Sequence, residues 1–318
     1  MSRAIVAVAQ IGSVLFDTPA TLDRLETQAR EAAGGGARLV VFPEALVGGY
    51  PKGVDFGARV GMRSAEGRDW FRRYYESAID ISGPECARIG ALARELALHV
   101  VVGVIERSGA TLYCTSLAFD ASGEIAALHR KLMPTAMERL IWGMGDGSTL
   151  PVIETPLGRL GMAICWENYM PMLRMAMYAQ GVELYCAPTV DDRDSWTASM
   201  RHIAMEGRCF VLCASQYLRR SDAPADYHPI QGEAPETELI RGGSMIVGPL
   251  GQVLAGPLFG AAGVLVAEID RLDLARARMD FDAVGHYARA DVFQLSVNTA
   301  PQAAVAFIGG SESEADGA

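Results

Sequence analysis

Leu39-Val40-Val41-Phe42-Pro43-Glu44 is an unbroken apolar run that stops on a carboxylate. A strand with one wet face alternates apolar and polar residues, so a continuous run marks a strand covered on both faces, as in a sheet flanked by helices. Two further β-type runs end in the same manner. Ile125-Ala126-Ala127-Leu128-His129-Arg130 leads to Lys131, and Leu160-Gly161-Met162-Ala163-Ile164 leads to Cys165. In α/β sheets ligands bind outside the carboxyl ends of strands, so side chains distant in the chain can converge there.

Outward from these runs, strands and helices alternate. Arg3 to Ile11 reads as a strand. Thr18-Pro19 opens a helix that carries Leu22 and Leu25 and ends at Gly34-Gly35-Gly36, with Thr18 as N-cap and proline in the first turn. Pro84 starts a second helix, with Cys86, Ile89, Leu92 and Leu96 at helical spacing. Val100 to Val104 is a buried strand, and Leu112 to Phe119 pairs with the Ile125 run across Asp120-Ala121-Ser122-Gly123. Val152 to Thr155 and Arg159 to Ile164 form a second hairpin. Helices follow from Pro171 to Gln180 and around Trp196, Met200 and Ile203; strands follow at Val182 to Ala187, Phe210 to Ser215, Ser244 to Val247 and Val264 to Ile269. The 48–82 and 219–238 stretches read as long connections that serve a pocket mouth or subunit contacts. No linker divides the chain, so the pattern predicts one α/β domain over residues 1–300, with a mixed sheet or two packed sheets. Residues 301–318 read as a tail, disordered in part.

The chain has 318 residues, half of them hydrophobic and 21% charged, which suits a large globular core and excludes disorder as the dominant state. Its net charge of −10 repels phosphate backbones and anionic membrane faces. No apolar run approaches the ~20 residues of a membrane helix, and the N-terminus lacks a signal layout, so a soluble cytoplasmic protein is expected. The six cysteines include no C-x-x-C pair, which suits a reducing compartment. The five histidines lack ligand spacing, and no metal site is expected.

Cys165 at a strand end suits a nucleophile if positive potential lies nearby, from a helix N-terminus or from Lys131. Glu44 suits a general base whose pKa is raised by burial. Lys131 suits a cation that holds developing negative charge. Taken singly, each has a plainer reading: a core cysteine, a capping or surface glutamate, a solvated lysine. Other motifs do worse. A G-x-S-x-G elbow, a Rossmann glycine pattern and a Walker lysine are all missing. Asp191-Asp192-Arg193-Asp194 reads as a solvated turn capping the next helix, and Trp70-Phe71-Arg72-Arg73-Tyr74-Tyr75 as an amphipathic interface helix.

The blocks Phe42-Pro43-Glu44-Ala45, Gly48-Gly49-Tyr50-Pro51-Lys52-Gly53 and His129-Arg130-Lys131-Leu132-Met133-Pro134-Thr135 occur in order. They are followed by Glu138-Arg139, Trp142-Gly143, Cys165-Trp166-Glu167-Asn168-Tyr169-Met170-Pro171 and Val284-Gly285-His286-Tyr287. In these blocks the chain resembles the nitrilase superfamily of carbon-nitrogen hydrolases, and in Cys165-Trp166-Glu167 its true nitrilase branch. The resemblance implies a four-layer α-β-β-α sandwich and a homo-oligomer built from dimers, with His286 and the 272–279 helix among the segments used in assembly. It implies that Cys165 is the nucleophile, Glu44 the base, Lys131 the charge-stabilising lysine and Glu138 a supporting glutamate, with no cofactor. The implied activity is hydrolysis of a nitrile to acid and ammonia, with an amidase or carbamoyl hydrolase as the alternative. Tyr50, Trp142, Trp166, Tyr169 and Thr189 are the candidate substrate contacts, and their aromatic character suits aryl or arylaliphatic nitriles.

Overall fold

The computed structural model describes residues 2–303 and 305. The first half of the chain builds β1 (Arg3–Gln10), α1 (Thr18–Gly34), β2 (Leu39–Val41), a small hairpin of β3 (Ala58–Arg59) and β4 (Met62–Arg63), α2 (Ala65–Ser77), α3 (Pro84–Leu96), β5 (His99–Ser108), β6 (Thr111–Phe119) and β7 (Ile125–Arg130). The second half builds β8 (Val152–Thr155), β9 (Gly158–Met162), α4 (Pro171–Ala179), β10 (Leu184–Thr189), α5 (Asp194–Gly207) and β11 (Phe210–Ser215). It continues with β12 (Tyr217–Arg219), β13 (Glu238–Val247), β14 (Val253–Phe259), β15 (Gly263–Asp270) and α6 (Leu272–Ala277). Among the short 3-10 turns, Ala136–Leu140, Gly147–Thr149 and Cys165–Tyr169 bear on the site.

One sheet runs β15-β1-β2-β5-β6-β7; the other runs β12-β13-β11-β10-β9-β8, with β14 on β13. β1, β2 and β5 are parallel, as are β9, β10 and β11. The two-residue period of a strand divides their side chains between two interiors. Val6, Val8, Leu39 and Val41 meet Leu160, Met162, Leu184, Cys186 and Leu212 between the sheets. Ala7, Ala9 and Val40 point away from them, onto Leu22 and Leu25 of α1 and Ile89 and Leu92 of α3. On the far side, Tyr185, Ala187, Val211 and Cys213 meet Leu173 and Met177 of α4 and Trp196, Met200 and Ile203 of α5. The layers are therefore α-β-β-α. Each fully buried Leu, Val or Met contributes about 1.5–3 kcal/mol relative to exposure, and these three clusters supply most of them.

The topology also sets where strand ends point. β6 runs antiparallel to β5, and β7 antiparallel to β6, so β7 has the same sense as β5 and β2. Lys131 consequently leaves its sheet at the same edge as Glu44.

Several expectations need correction. Asp17, not Thr18, caps α1: its carboxylate accepts from Ala20 N at 3.0 Å, while the Thr18 hydroxyl donates to Ser77 O at 2.5 Å. The 48–82 connection contains the β3–β4 hairpin and α2. The aromatic face of α2 is an interface within the chain: Trp70 and Tyr74 pack against Phe16, and Trp70 also against Tyr227. The Tyr74 and Ser77 hydroxyls donate to Gly49 O and Gly48 O, fastening α2 to the turn before Tyr50. β14 escaped sequence reading because Pro257 sits inside it, which only an edge strand tolerates. The expected tail falls outside the described residues apart from 301–303 and 305. Among the described residues no helix is long and apolar enough to cross a membrane.

Candidate active site

Glu44 follows β2 by way of Pro43 and is fully buried. Its turn lies tight against Gly103 of β5, where a Cβ would come within 2.4 Å of Pro43 O and 2.6 Å of Glu44 Cα. Gln216 Nε2 donates to the carbonyl of Glu44 at 2.8 Å, tying the turn to the second sheet. At the carboxylate, Oε1 receives Lys131 Nζ at 2.6 Å and the Cys114 thiol at 3.6 Å. The other oxygen, Oε2, is buried with no hydrogen-bond partner among the described residues.

Lys131 is wholly buried at the end of β7, where Nζ donates to Glu44 Oε1 and to Glu138 Oε2 at 2.9 Å. The Trp142 ring lies 5.4 Å from Nζ. Glu138 stands on the 3-10 turn Ala136–Leu140, where Oε2 also accepts Thr135 N at 2.6 Å and Oε1 accepts the Tyr50 hydroxyl at 2.9 Å.

Cys165 opens the 3-10 turn that replaces a direct strand-to-helix junction; α4 begins only at Pro171. Its φ of +49° lies in the left-handed region, which costs a non-glycine residue about 1–2 kcal/mol. Asn168 holds that conformation, because its Nδ2 donates to Ala163 O at 3.0 Å and to Cys165 O at 2.8 Å. Thr189, at the end of β10, donates its hydroxyl to Cys165 Sγ at 3.1 Å. Cys165, Tyr50, Glu138, Trp166 and Asp191 line one cavity of about 280 Å³.

Electrostatics follow from burial and neighbours. Burial pushes the Cys165 thiol well above its usual value; Glu44 adds to the rise, while Lys131 and the Thr189 hydroxyl oppose it. The thiol is therefore protonated and needs a base. Burial raises the Glu44 carboxyl, Lys131 pulls it back, and Glu138 raises it again. Lys131 loses hydration by burial, yet Glu44 and the other anionic partners outweigh that and hold it charged. Cys86, Cys209 and Cys213 are also pushed up, to about 12, by burial. Thiol acidity thus does not single out Cys165. Its contact with Glu44 together with a cavity on the sulfur does.

Of the expected substrate contacts, Tyr50 and Trp166 line the cavity. Trp142 faces Lys131 and lines a second space of about 290 Å³ with Tyr50, Val54, Phe56, Leu140 and Ile141. Thr189 lies beneath the sulfur. Tyr169 packs edge-on between Trp166 and Trp196 and is not among the residues lining the Cys165 cavity. Within the 191–194 stretch Arg193 and Asp194 are exposed, but Asp191 is buried against Trp166 Nε1 at 2.8 Å and the Arg193 guanidinium, and the N-cap of α5 is Arg193, without a side-chain bond.

Sequence reading assigned no role to His129 or Glu167. Both are fully buried, 2.9 Å apart. Strand alternation puts His129 on the same face as Lys131, a signal that the two-residue period could have supplied.

A family model described as carbon-nitrogen hydrolase matches residues 5–279. The chain belongs to the carbon-nitrogen hydrolase family. Within it, a nitrilase of Bradyrhizobium diazoefficiens is 56% identical over 302 residues, 95% of this chain and 94% of that one. A bifunctional nitrilase/nitrile hydratase of Nicotiana tabacum is 53% identical over 94% of this chain and 87% of its own, and an aliphatic nitrilase of Sinorhizobium fredii is 52% identical over 96% and 99%. These relatives put the chain on the nitrilase branch. Among solved structures, the Caenorhabditis elegans NitFhit protein superposes with a TM-score of 0.74 at 21% identity, over 94% of this chain and 68% of that one. An amidase from Nesterenkonia sp. does so at 0.65 and 22% identity, over 88% and 95%. At that identity the likeness concerns the fold.

Proposed function

We propose that the protein is a nitrilase that converts an organic nitrile and two waters into a carboxylic acid and ammonia, with Cys165 as nucleophile. Glu44 Oε2 takes the thiol proton as Sγ attacks the nitrile carbon. The proton passes to the nitrile nitrogen, and a thioimidate results. Lys131 and a backbone N–H near Trp166 hold the charge that develops on that nitrogen. Water adds to give a tetrahedral adduct, ammonia leaves, and a thioester remains. A second water, its proton taken by Glu44, releases the acid and restores the thiol. Glu138 orients Lys131 through Oε2. The chain's own thiol, base and cation account for every proton and charge in this sequence. The observation that carries the reading is a buried Glu44 carboxylate that interacts with Cys165 and keeps one oxygen unpaired, together with the cavity on that sulfur. It is supported by relatives at 52–56% identity whose names are nitrilases.

The test is a panel of aryl, arylaliphatic and aliphatic nitriles with ammonia, acid and amide measured, beside the matching amides. Acid and ammonia from a nitrile, outpacing ammonia from its amide, are expected. Faster release from the amide would make the protein an amidase. Amide among the products would mean that the adduct expels the thiol instead of ammonia.

Two smaller results are expected. Glu44 acts only when ionised and its pKa is raised, so kcat/KM should fall with acidity through a value above the ordinary glutamate's ~4.3, while Lys131 stays charged throughout. A limb at or below the ordinary value would count against Glu44 as base. Tyr50→Phe removes a hydrogen bond to a carboxylate, worth about 1.5–3 kcal/mol, and should lower kcat by roughly 10- to 100-fold; an unchanged kcat would remove Tyr50 from the lysine–glutamate network.

We further infer that residues 1–300 act as one domain and that the protein is a homodimer or a larger oligomer of dimers, working in the cytoplasm. Tyr287, Phe293 and Met172 are exposed apolar residues that subunit contact would cover. Light scattering at micromolar protein should give at least a dimer, and a strictly monomeric mass would contradict this.

A further inference from the structure

The buried pair His129 and Glu167 has no part in the chemistry above, although it touches both halves of the site. Glu167 Oε1 accepts Leu132 N at 2.5 Å, the residue after Lys131. Glu167 Oε2 accepts Ile164 N at 2.7 Å, the residue before Cys165, and also faces His129 Nε2 at 2.9 Å. His129 Nδ1 in turn meets Thr149 O. β7 belongs to one sheet and β9 to the other. One carboxylate therefore spans the seam between the sheets, gripping the chain next to the lysine and next to the cysteine.

We propose that Glu167 is a positioning residue that sets the separation of Lys131 from Cys165, and that His129 is the cation that keeps it an anion. Only a carboxylate accepts at both oxygens. Glutamine would turn an NH2 donor toward one of the two backbone N–H groups and push that segment away. The ring of His129 faces a carboxylate on one nitrogen and a carbonyl on the other, so both nitrogens must carry protons, and the ring is an imidazolium. Neither side chain touches the cavity, which places the pair outside substrate contact. A displacement of about 1 Å between reacting groups costs about 10²-fold in rate. The inference rests on Cys165 being the nucleophile and Lys131 its charge partner.

The experiment uses alkylation of Cys165 by iodoacetamide, followed by peptide mass against pH, in the wild type, Glu167→Gln and the double variant His129→Gln/Glu167→Gln. Alkylation needs no nitrile, so it reads the geometry whether or not the wild type hydrolyses one. The groups facing Sγ are Glu44 after β2, Lys131 after β7, Glu138 on its 3-10 turn and Thr189 on β10, with Tyr50 and Arg193 across the cavity. Loosening Lys131 weakens the stronger of the two cations among them. Glu167→Gln should therefore alkylate about 10-fold more slowly, with its pH midpoint moved upward, and kcat should fall about 10²-fold while KM stays within about twofold. The double variant is neutral and restores a hydrogen bond between the two side chains. It should regain thermal stability without regaining the wild-type alkylation profile. A wild-type profile in Glu167→Gln, or recovery of alkylation together with stability in the double variant, would reduce the pair to a structural one and overturn the proposal.

Discussion

Cys165→Ala should lower nitrile turnover by about 10⁴-fold or more, while leaving the melting temperature close to that of the wild type. Removal of a nucleophile from a site built around it costs this much because no other group can form the covalent intermediate. The remaining five cysteines are buried, and Cys114, the one that touches Glu44, is held there as a donor to Oε1. The fold should survive because the left-handed backbone at 165 is held by Asn168 through main-chain carbonyls, and the sulfur's own partners, the Thr189 hydroxyl and the Glu44 carboxyl, play no part in that hold. Two measurements check this: steady-state ammonia release, and the mass of the enzyme quenched during turnover. The wild type should show a covalent adduct on the peptide containing Cys165, and the variant none. Turnover retained within tenfold would move the nucleophile elsewhere.

That expectation was legible from the sequence for a particular reason. The three reactive residues each follow an apolar run, and such runs announce strand ends, where topology gathers side chains. The Leu39 and Leu160 runs are two of the parallel strands that face one another across the inter-sheet interior. Lys131 was harder, since its convergence with Glu44 depends on β7 sharing the sense of β2 through two antiparallel pairings. Family likeness, not periodicity, joined the three. Contacts set by loop conformation were not legible. Tyr169 lies four residues past the nucleophile, but the 3-10 turn sets its ring against Trp196. Asp191 sits in a run of charges that looks solvated, yet it is buried because the Trp166 indole and Arg193 supply its partners. The His129–Glu167 pair joins two segments that no spacing rule links.

The site as a whole is a chain of charges, buried except for the half-buried Glu138, that alternate in sign. Glu138, Lys131 and Glu44 stand in line, with the protonated thiol at the far end. Each charge is held by the next, so the cost of burying any one is offset only while its neighbours remain. This is why the open oxygen of Glu44 matters: Oε1 is committed to Lys131 and Cys114, and Oε2 alone is free to receive a proton. The Glu44 carboxyl is raised by burial and by Glu138, while Lys131 and the contact with Cys165 hold that rise in check.

Lys131 is the member whose replacement separates these effects. Lys131→Met leaves the buried Glu44 carboxylate and the half-buried Glu138 without their shared cation, and should cost about 3–5 kcal/mol of stability, as for other broken buried pairs. The surviving protein should show its acidic limb at higher pH than the wild type, because the charge that pulled Glu44 down is gone and a carboxyl of higher pKa is lost as a base sooner on acidification. Lys131→Arg keeps the charge and changes only its shape. A single Nζ now serves Glu44 at 2.6 Å and Glu138 at 2.9 Å, whereas a planar guanidinium spreads its donors over a wider fork and is bulkier in a fully buried slot. Its charge should still hold Glu44 ionised, so the acidic limb should stay near that of the wild type. Its kcat should nonetheless fall about 10²- to 10³-fold, the loss seen when one donor to a developing anion is misplaced. Denaturant melts, pH profiles and kcat on one good nitrile, measured on both variants, check all four statements. Near-normal kcat in Lys131→Arg would show that position 131 need only supply charge, and the compact ammonium would lose its role in holding the nitrile nitrogen.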